Sequence, residues 1–173
     1  MVITEYIADH FGEQGNAGFL PPTAEGRAKA RLMVELSPFG STFGILAKRN
    51  EPEALKTELA ELRAQLHSFN DFLNVHASAA SPFLLDEFCT AEAMLAPFLQ
   101  RFCTLLPHYC GDEADVQLWC KEDGLEKLGA WIEAVTARPS VVETGVGSEA
   151  MIESIQKFLR MMDEKTGPWA PKT

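Results

Sequence analysis

Ser81-Pro82-Phe83-Leu84-Leu85-Asp86-Glu87-Phe88-Cys89-Thr90-Ala91-Glu92-Ala93-Met94-Leu95-Ala96-Pro97-Phe98-Leu99-Gln100-Arg101-Phe102 is the stretch that decides the fold class. It reads as a turn that stops one helix and starts a second. In the second helix Met94, Leu95, Pro97, Phe98, Leu99 and Phe102 leave almost no polar side. A helix apolar around most of its circumference belongs at the centre of a bundle. Pro97 and Phe98 are therefore expected in the core motif with the rest. At the helix start, Cys89 and Glu92 occupy the first and fourth places of a capping box. There a small side chain accepts from one backbone N–H while an acid reaches back to another. A thiol accepts more weakly than a hydroxyl, so that half of the cap is expected to be weak. Thr90 offers a second N-cap one residue later, with Ala93 at its fourth place.

Upstream, Leu55, Leu59, Leu62, Leu66, Phe69 and Leu73 alternate steps of four and three, which predicts a helix from about Pro52 to Val75. Pro52 suits its first turn. Thr23 fits the N-cap of a helix from Ala24 through Leu36. Pro38, Gly40 and Gly44 then interrupt a stretch that resumes with Phe43, Ile45 and Leu46, giving one broken helix or two short ones. Nearer the N-terminus, Met1 to Phe11 is helical in period, with Val2, Ile3, Tyr6, Ile7 and Phe11 on one face. Gly12 to Pro22 reads as a linker.

Downstream, the core helix is expected to end near Pro107, and Gly111 to Gln117 looks like an acidic loop. A helix from about Leu125 to Ala137 carries Leu125, Leu128, Trp131, Ile132 and Val135 until Arg138-Pro139 stops it. Trp131 is expected in the core. The last helix starts near Ser148 and carries Met151, Ile152, Ile155, Phe158, Leu159 and Met162, with Pro168 and Pro171 closing the tail. No segment alternates as a strand would, so the fold class is all-α.

A chain of 173 residues, 46% hydrophobic and 23% charged, is sized and composed as one ordinary globular domain. Its formal net charge of -10 argues against nucleic acid or an anionic membrane as the main partner. No apolar run reaches the length of a membrane span. With Glu5 and Asp9 in its first turns, the N-terminus reads as neither signal nor transit peptide. A soluble intracellular location, in cytoplasm or an organelle interior, is expected.

The cysteines, Cys89, Cys103, Cys110 and Cys120, form no Cys-x-x-Cys pair. His108 and Cys110 with Cys103 or Cys120 fit no common zinc spacing, so buried free thiols are expected and no metal. Cys89 alone has a route to activation, because a helix N-terminus lowers a thiol pKa. Glu92 one turn on opposes it, and a structural role as a cap substitute is the expectation.

The segment from Ser81 to Phe102 resembles, without a gap, the stretch that opens the central helix in the C-terminal domain of glutathione S-transferases. The resemblance is closest to the lambda, omega and dehydroascorbate-reductase-like classes, with their Pro-Phe start, Ser/Thr-x-x-Asp cap and Ala-Pro-Phe centre. Cys89 and Glu92 depart from it, standing where the family has Ser or Thr and Asp. Arg27-Ala28-Lys29-Ala30-Arg31 resembles the Arg-Ala-x-x-Arg that opens the family's first C-terminal-domain helix. Trp131-Ile132-Glu133-Ala134-Val135-Thr136-Ala137-Arg138-Pro139-Ser140-Val141 is similar to its Trp…Arg-Pro-Ser-Val signature. Ile3-Thr4-Glu5-Tyr6-Ile7 resembles the last helix of the preceding thioredoxin-like domain. The resemblance implies a glutathione S-transferase C-terminal-domain-like helix bundle over 23–173, with a remnant of the thioredoxin-like domain's last helix plus linker over 1–22.

Family enzymes hold glutathione in the thioredoxin-like domain. Its Cys, Ser or Tyr nucleophile, its cis-proline strand and the Glu-Ser pair for the γ-glutamyl end all precede the helix matching Val2 to Ile7. The resemblance therefore implies no catalytic residue and no glutathione site in this chain, with glutathione as cofactor only if an N-terminal domain is supplied. The second-substrate subsite does carry over: Phe39, Phe43, Trp169 and the methionines near Met161 are its candidate walls, against an ordinary role in the core or a former domain interface. Arg27 and Arg31 are candidates for dimer or interdomain contacts, or else solvated charges.

Three functions follow. The first is a non-catalytic binding or assembly module, a subunit that docks on a protein partner through surface the missing domain would cover. The second is a truncated or split part of an active glutathione transferase or glutathione-dependent thiol reductase. The third is a small apolar-ligand carrier. Oligomeric state is left open.

Overall fold

The four-and-three apolar spacing of the sequence winds into helices whose buried stripes meet in one core. The computed structural model describes residues 2–11 and 19–164, and among these every regular element is helical. The elements are α1 (Val2–Phe11), α2 (Ala24–Leu36), a 3-10 turn (Pro38–Ser41), α3 (Thr42–Ala47), α4 (Pro52–His76) and α5 (Thr90–Cys110). A second 3-10 turn (Asp112–Ala114), α6 (Val116–Glu122), α7 (Glu126–Ala137), α8 (Pro139–Thr144) and α9 (Ser148–Asp163) complete the described chain. Thr23 caps α2 as expected, its Oγ1 accepting from Gly26 N–H at 3.0 Å.

Helix α5 is the hub, packed against α2, α3, α7, α8 and α9. Leu95, Leu99, Phe102 and Leu106, at steps of four, three and four, face inward and are buried. Pro97 and Phe98 do not join them: Phe98 is 42% exposed. They lie on the remaining face of the helix with Arg101, whose guanidinium sits 5.1 Å over the Phe98 ring. An all-apolar helix buries only the faces its neighbours reach, and here that face opens to solvent beside α8. The helix also outlasts Pro107, ending where Gly111 takes φ 93, a conformation glycine adopts without strain.

The expected acidic loop at Gly111 to Gln117 is instead a 3-10 turn and the start of α6. Asp115 makes the cap, its Oδ1 accepting from Gln117 N–H at 2.8 Å. Val116, Trp119 and Cys120 are buried at helical spacing, a signal short enough to be overlooked among three acids. Pro139 both stops α7 and supplies the first residue of α8.

Helix α7 has Leu125 at its N-cap, with no side-chain acceptor of its own. The acceptor comes from α4, where buried Asn70 turns its Oδ1 to the N–H of Leu128 at 3.0 Å. Replacing Asn70 with alanine is expected to destabilise the fold by about 1–2 kcal/mol in urea unfolding, the usual effect of losing a cap in a dry site. Asn70→Asp, which keeps the acceptor, is expected to retain most of that stability. A loss under about 0.5 kcal/mol for the alanine variant would remove Asn70 from the account of α7.

A charged clasp joins α4 to the end of α6. Arg63 Nε donates to Asp123 Oδ2 at 2.6 Å, and its other donors reach Asp123 Oδ1 and Glu122. His67 Nε2 lies 3.1 Å from the same Asp123 oxygen. The guanidinium, through its hydrogen bonds first, holds the Asp123 carboxyl down from its ordinary 3.8 to about 2. Because the folded value is the lower one, the clasp's contribution is complete above about pH 4 and fades as pH falls toward 2. Asp123→Asn is expected to flatten that part of the acid unfolding curve, measured by thermal midpoint; an unchanged curve would sink the assignment.

Candidate functional site

Three places could carry function: the capped start of α5, the outer face of α1 and α2, and the aromatic residues expected to line a subsite.

Between α4 and α5 the chain runs without regular structure from Ala77 to Cys89. Lys127 Nζ on α7 holds it by donating to the carbonyls of Ser78 and Ser81. Ser78 Oγ donates to Asp86 Oδ1 at 2.7 Å. Cys89 then takes extended backbone as the N-cap, and Thr90 is the first helical residue rather than the cap. Its N–H donates instead to the Phe19 carbonyl at 2.9 Å, so the chain ahead of α2 closes over the start of α5. A cap at Thr90 would have put Ala93, which has no acid, in the place Glu92 fills.

Glu92 has no exposed surface. Its Oε2 accepts from Cys89 N–H at 3.0 Å, the acid half of the capping box, and from the Cys89 thiol at 3.1 Å. Its Oε1 accepts from Leu84 N–H at 2.8 Å and from the indole Nε1–H of Trp131 at 3.4 Å. The sulfur faces the N3 backbone N–H as the box requires, but makes no close cap hydrogen bond there. One buried acid thus fastens the incoming loop, the first turn of α5 and the core tryptophan of α7.

The thiol chemistry of this site is quiet. Burial first, then the charge of Glu92, pushes Cys89 up to about 12. Burial likewise pushes Cys103 to about 12 and Cys110 and Cys120 to about 11. A thiol that keeps its proton at neutral pH is a poor nucleophile and a poor metal ligand. Among the described residues no group of His, Cys, Asp and Glu is placed to hold a metal ion.

Of the residues expected to wall an apolar subsite, Phe39 is placed apart from the surface. Phe39 is sealed in the core, stacked on Trp131 with ring centroids 5.8 Å apart and edge-on to Phe69 and Phe102. It cannot line an open site. Phe43 lies at the surface, edge-on to Phe158 of α9 at 5.7 Å. Met161 is half-buried at the end of α9, and Trp169 lies outside the described residues.

Arg27 and Arg31 have separate tasks. Arg27 donates to the carbonyls of Pro21 and Pro22 at 3.1 and 3.2 Å, fixing the entry to α2. Arg31 grips Glu5 of α1 with both edges, Nε to Oε1 at 2.7 Å and a terminal N–H to Oε2 at 3.1 Å. Glu5 turns toward the bundle, while Ile3, Tyr6 and Ile7 are 76%, 63% and 51% exposed. Leu32 and Leu36, one turn apart on α2, are exposed as well.

Asn70, Lys127 and the joining of Glu92 to Trp131 have no periodic signal in the sequence. Asn70 alone left a trace: a polar residue on the buried stripe with Leu66 and Leu73 demands a partner. No described helix is long and apolar enough to cross a membrane. Compared with protein-family models, curated proteins and solved structures, the chain gives no match.

Proposed function

We propose that this chain is a non-catalytic docking module of the glutathione S-transferase C-terminal-domain type, which binds a protein partner through the outer face of α1. The carrying observation is the orientation of that helix. Its acid faces Arg31 of the bundle, and its apolar residues Ile3, Tyr6 and Ile7 face outward. A helix that turns its polar side to its own bundle leaves the apolar side for another surface to cover. The raised thiols support the absence of thiol-transfer chemistry from the role. The order of the four motifs, with α5 as hub, supports the family type.

The test places a photo-cross-linking residue at Tyr6 and, as control, at Gln65 on the exposed face of α4. In an extract of the source cells, Tyr6 is expected to give one discrete adduct that disappears with Ile3→Asp/Ile7→Asp, and Gln65 none. Equal adducts from both positions would overturn the docking face. Tight glutathione binding by this chain alone, measured by calorimetry, would overturn the non-catalytic role and favour part of a glutathione transferase.

A further inference from the structure

The cleft where α8 and the start of α9 meet the open face of α5 carries cations that this acidic chain has not neutralised. Acids outnumber bases, 25 to 15. Lys29, Arg31, Lys48, Arg49 and Arg63 all pair with carboxylates. Arg101 and Arg138 pair with none among the described residues, and each is seated on an aromatic ring instead. Arg101 lies over Phe98 at 5.1 Å and Arg138 over Phe88 at 4.0 Å. Stacking occupies the flat face of a guanidinium and does not use its edge donors, the part that grips a carboxylate.

Arg101 and Phe88 line one cavity of about 350 Å³. This is within the range of small-molecule sites, roughly 300–1,000 Å³. Ser140 and Thr144 bring hydroxyls to it, and Arg138 donates to the Ser140 Oγ. Pro97, Val141 and Met151 supply an apolar wall. That wall is closely built: Gln100 Nε2 donates to the Val141 carbonyl at 3.1 Å. Gly145 fits beside them because a Cβ there would come within 2.8 Å of the same carbonyl oxygen.

We propose that this cleft binds a small organic carboxylate with an apolar body, its head met by Arg101 and by the Ser140 hydroxyl that Arg138 holds, and its body laid on Pro97, Val141 and Met151. Charge selects the head, since Arg101 lines the cavity with no carboxylate partner among the described residues. Cavity size limits the body to a ring or a short chain. The site is independent of the docking face on α1 and explains why Phe98 is kept at the surface: it is the seat of Arg101.

The test is a low-salt amide NMR titration of the whole chain with 3-phenylpropionate, with 3-phenylpropan-1-ol and inorganic phosphate as comparison probes. The acid is expected to give saturable shifts confined to Gln100, Ser140, Thr144, Gly145 and their neighbours, and the alcohol and phosphate none there. Arg101→Gln is expected to weaken the acid about tenfold, the size of one charge-assisted hydrogen bond, and Arg138→Gln, which releases the Ser140 hydroxyl, about threefold. Lys56→Gln, on the exposed side of α4, is expected to leave it unchanged. Equal binding of the alcohol would reduce the site to an apolar cleft, and equal binding of phosphate would reduce it to a charge; either overturns the proposal. So does the absence of localised shifts with the acid, or unchanged affinity in folded arginine variants. The comparison of acid and alcohol on the unsubstituted chain decides the matter even where a variant fails to fold.

Discussion

Replacing Glu92 with alanine is expected to lower the unfolding free energy by roughly 4 kcal/mol or more, a large share of the 5–15 kcal/mol that holds a typical domain. The reason lies in what the side chain leaves behind. Two backbone N–H groups, at Leu84 and Cys89, together with the Cys89 thiol and the Trp131 indole, all donate to this acid where no water reaches. Each buried donor left unsatisfied costs about 1–3 kcal/mol, and the groups are coupled, so their losses do not simply add. Glu92→Gln keeps one acceptor oxygen but turns an NH₂ toward a donor, and a smaller loss of about 2–3 kcal/mol is expected. Trp131→Phe removes only the longest of the four contacts and is expected to lower stability least. Urea unfolding at neutral pH gives the ordering; a Glu92→Ala loss below about 1 kcal/mol would mean that the acid does not organise the start of α5.

The second large effect separates two phenylalanines that look alike in sequence. Phe39→Ala is expected to destabilise by about 3–5 kcal/mol, because it opens a cavity among Trp131, Phe69 and Phe102 that the surrounding helices cannot close. Phe98→Ala is expected to change stability by no more than about 0.5 kcal/mol, since its ring is exposed with Arg101 leaning on it. Thermal and urea midpoints of the two variants, measured side by side, check the assignment. A Phe98 loss as large as that of Phe39 would place Phe98 back in the core.

Much of the helix order was legible because local chemistry writes it. The leucine stripe from Leu55 to Leu73 predicts Pro52 to Val75, and the helix runs Pro52–His76. Thr23, Pro52 and Pro139 mark helix starts by properties of single residues: an acceptor side chain, or a ring that needs no N–H partner. The break at Pro38 was legible for the same reason, whereas Gly40 lies within the 3-10 turn and Gly44 within α3, where they interrupt nothing. Glu92 was legible as half of a capping box, since its Cys89 partner is only three residues away.

What stayed hidden depends on residues far apart in the chain. Trp131 stands 39 positions from Glu92, and Asn70 stands 58 from the N–H it caps. No periodicity encodes such meetings. The outward turn of α1 was hidden too, because an apolar face in sequence does not say whether it will find the chain's own core.

The stretch from Ser81 to Phe102 divides the same way. By itself it determined a turn, a capped start and a helix too apolar to sit anywhere but against other helices, all consequences of side-chain chemistry within a few residues. Only the tertiary structure decided which face of that helix is inside. An all-apolar circumference carries no stripe to read, so burial is assigned by the helices that arrive: α2, α3, α7 and α9 pack on α5, Leu99 and Phe102 are buried, and the side left open keeps Phe98 in solvent beneath Arg101.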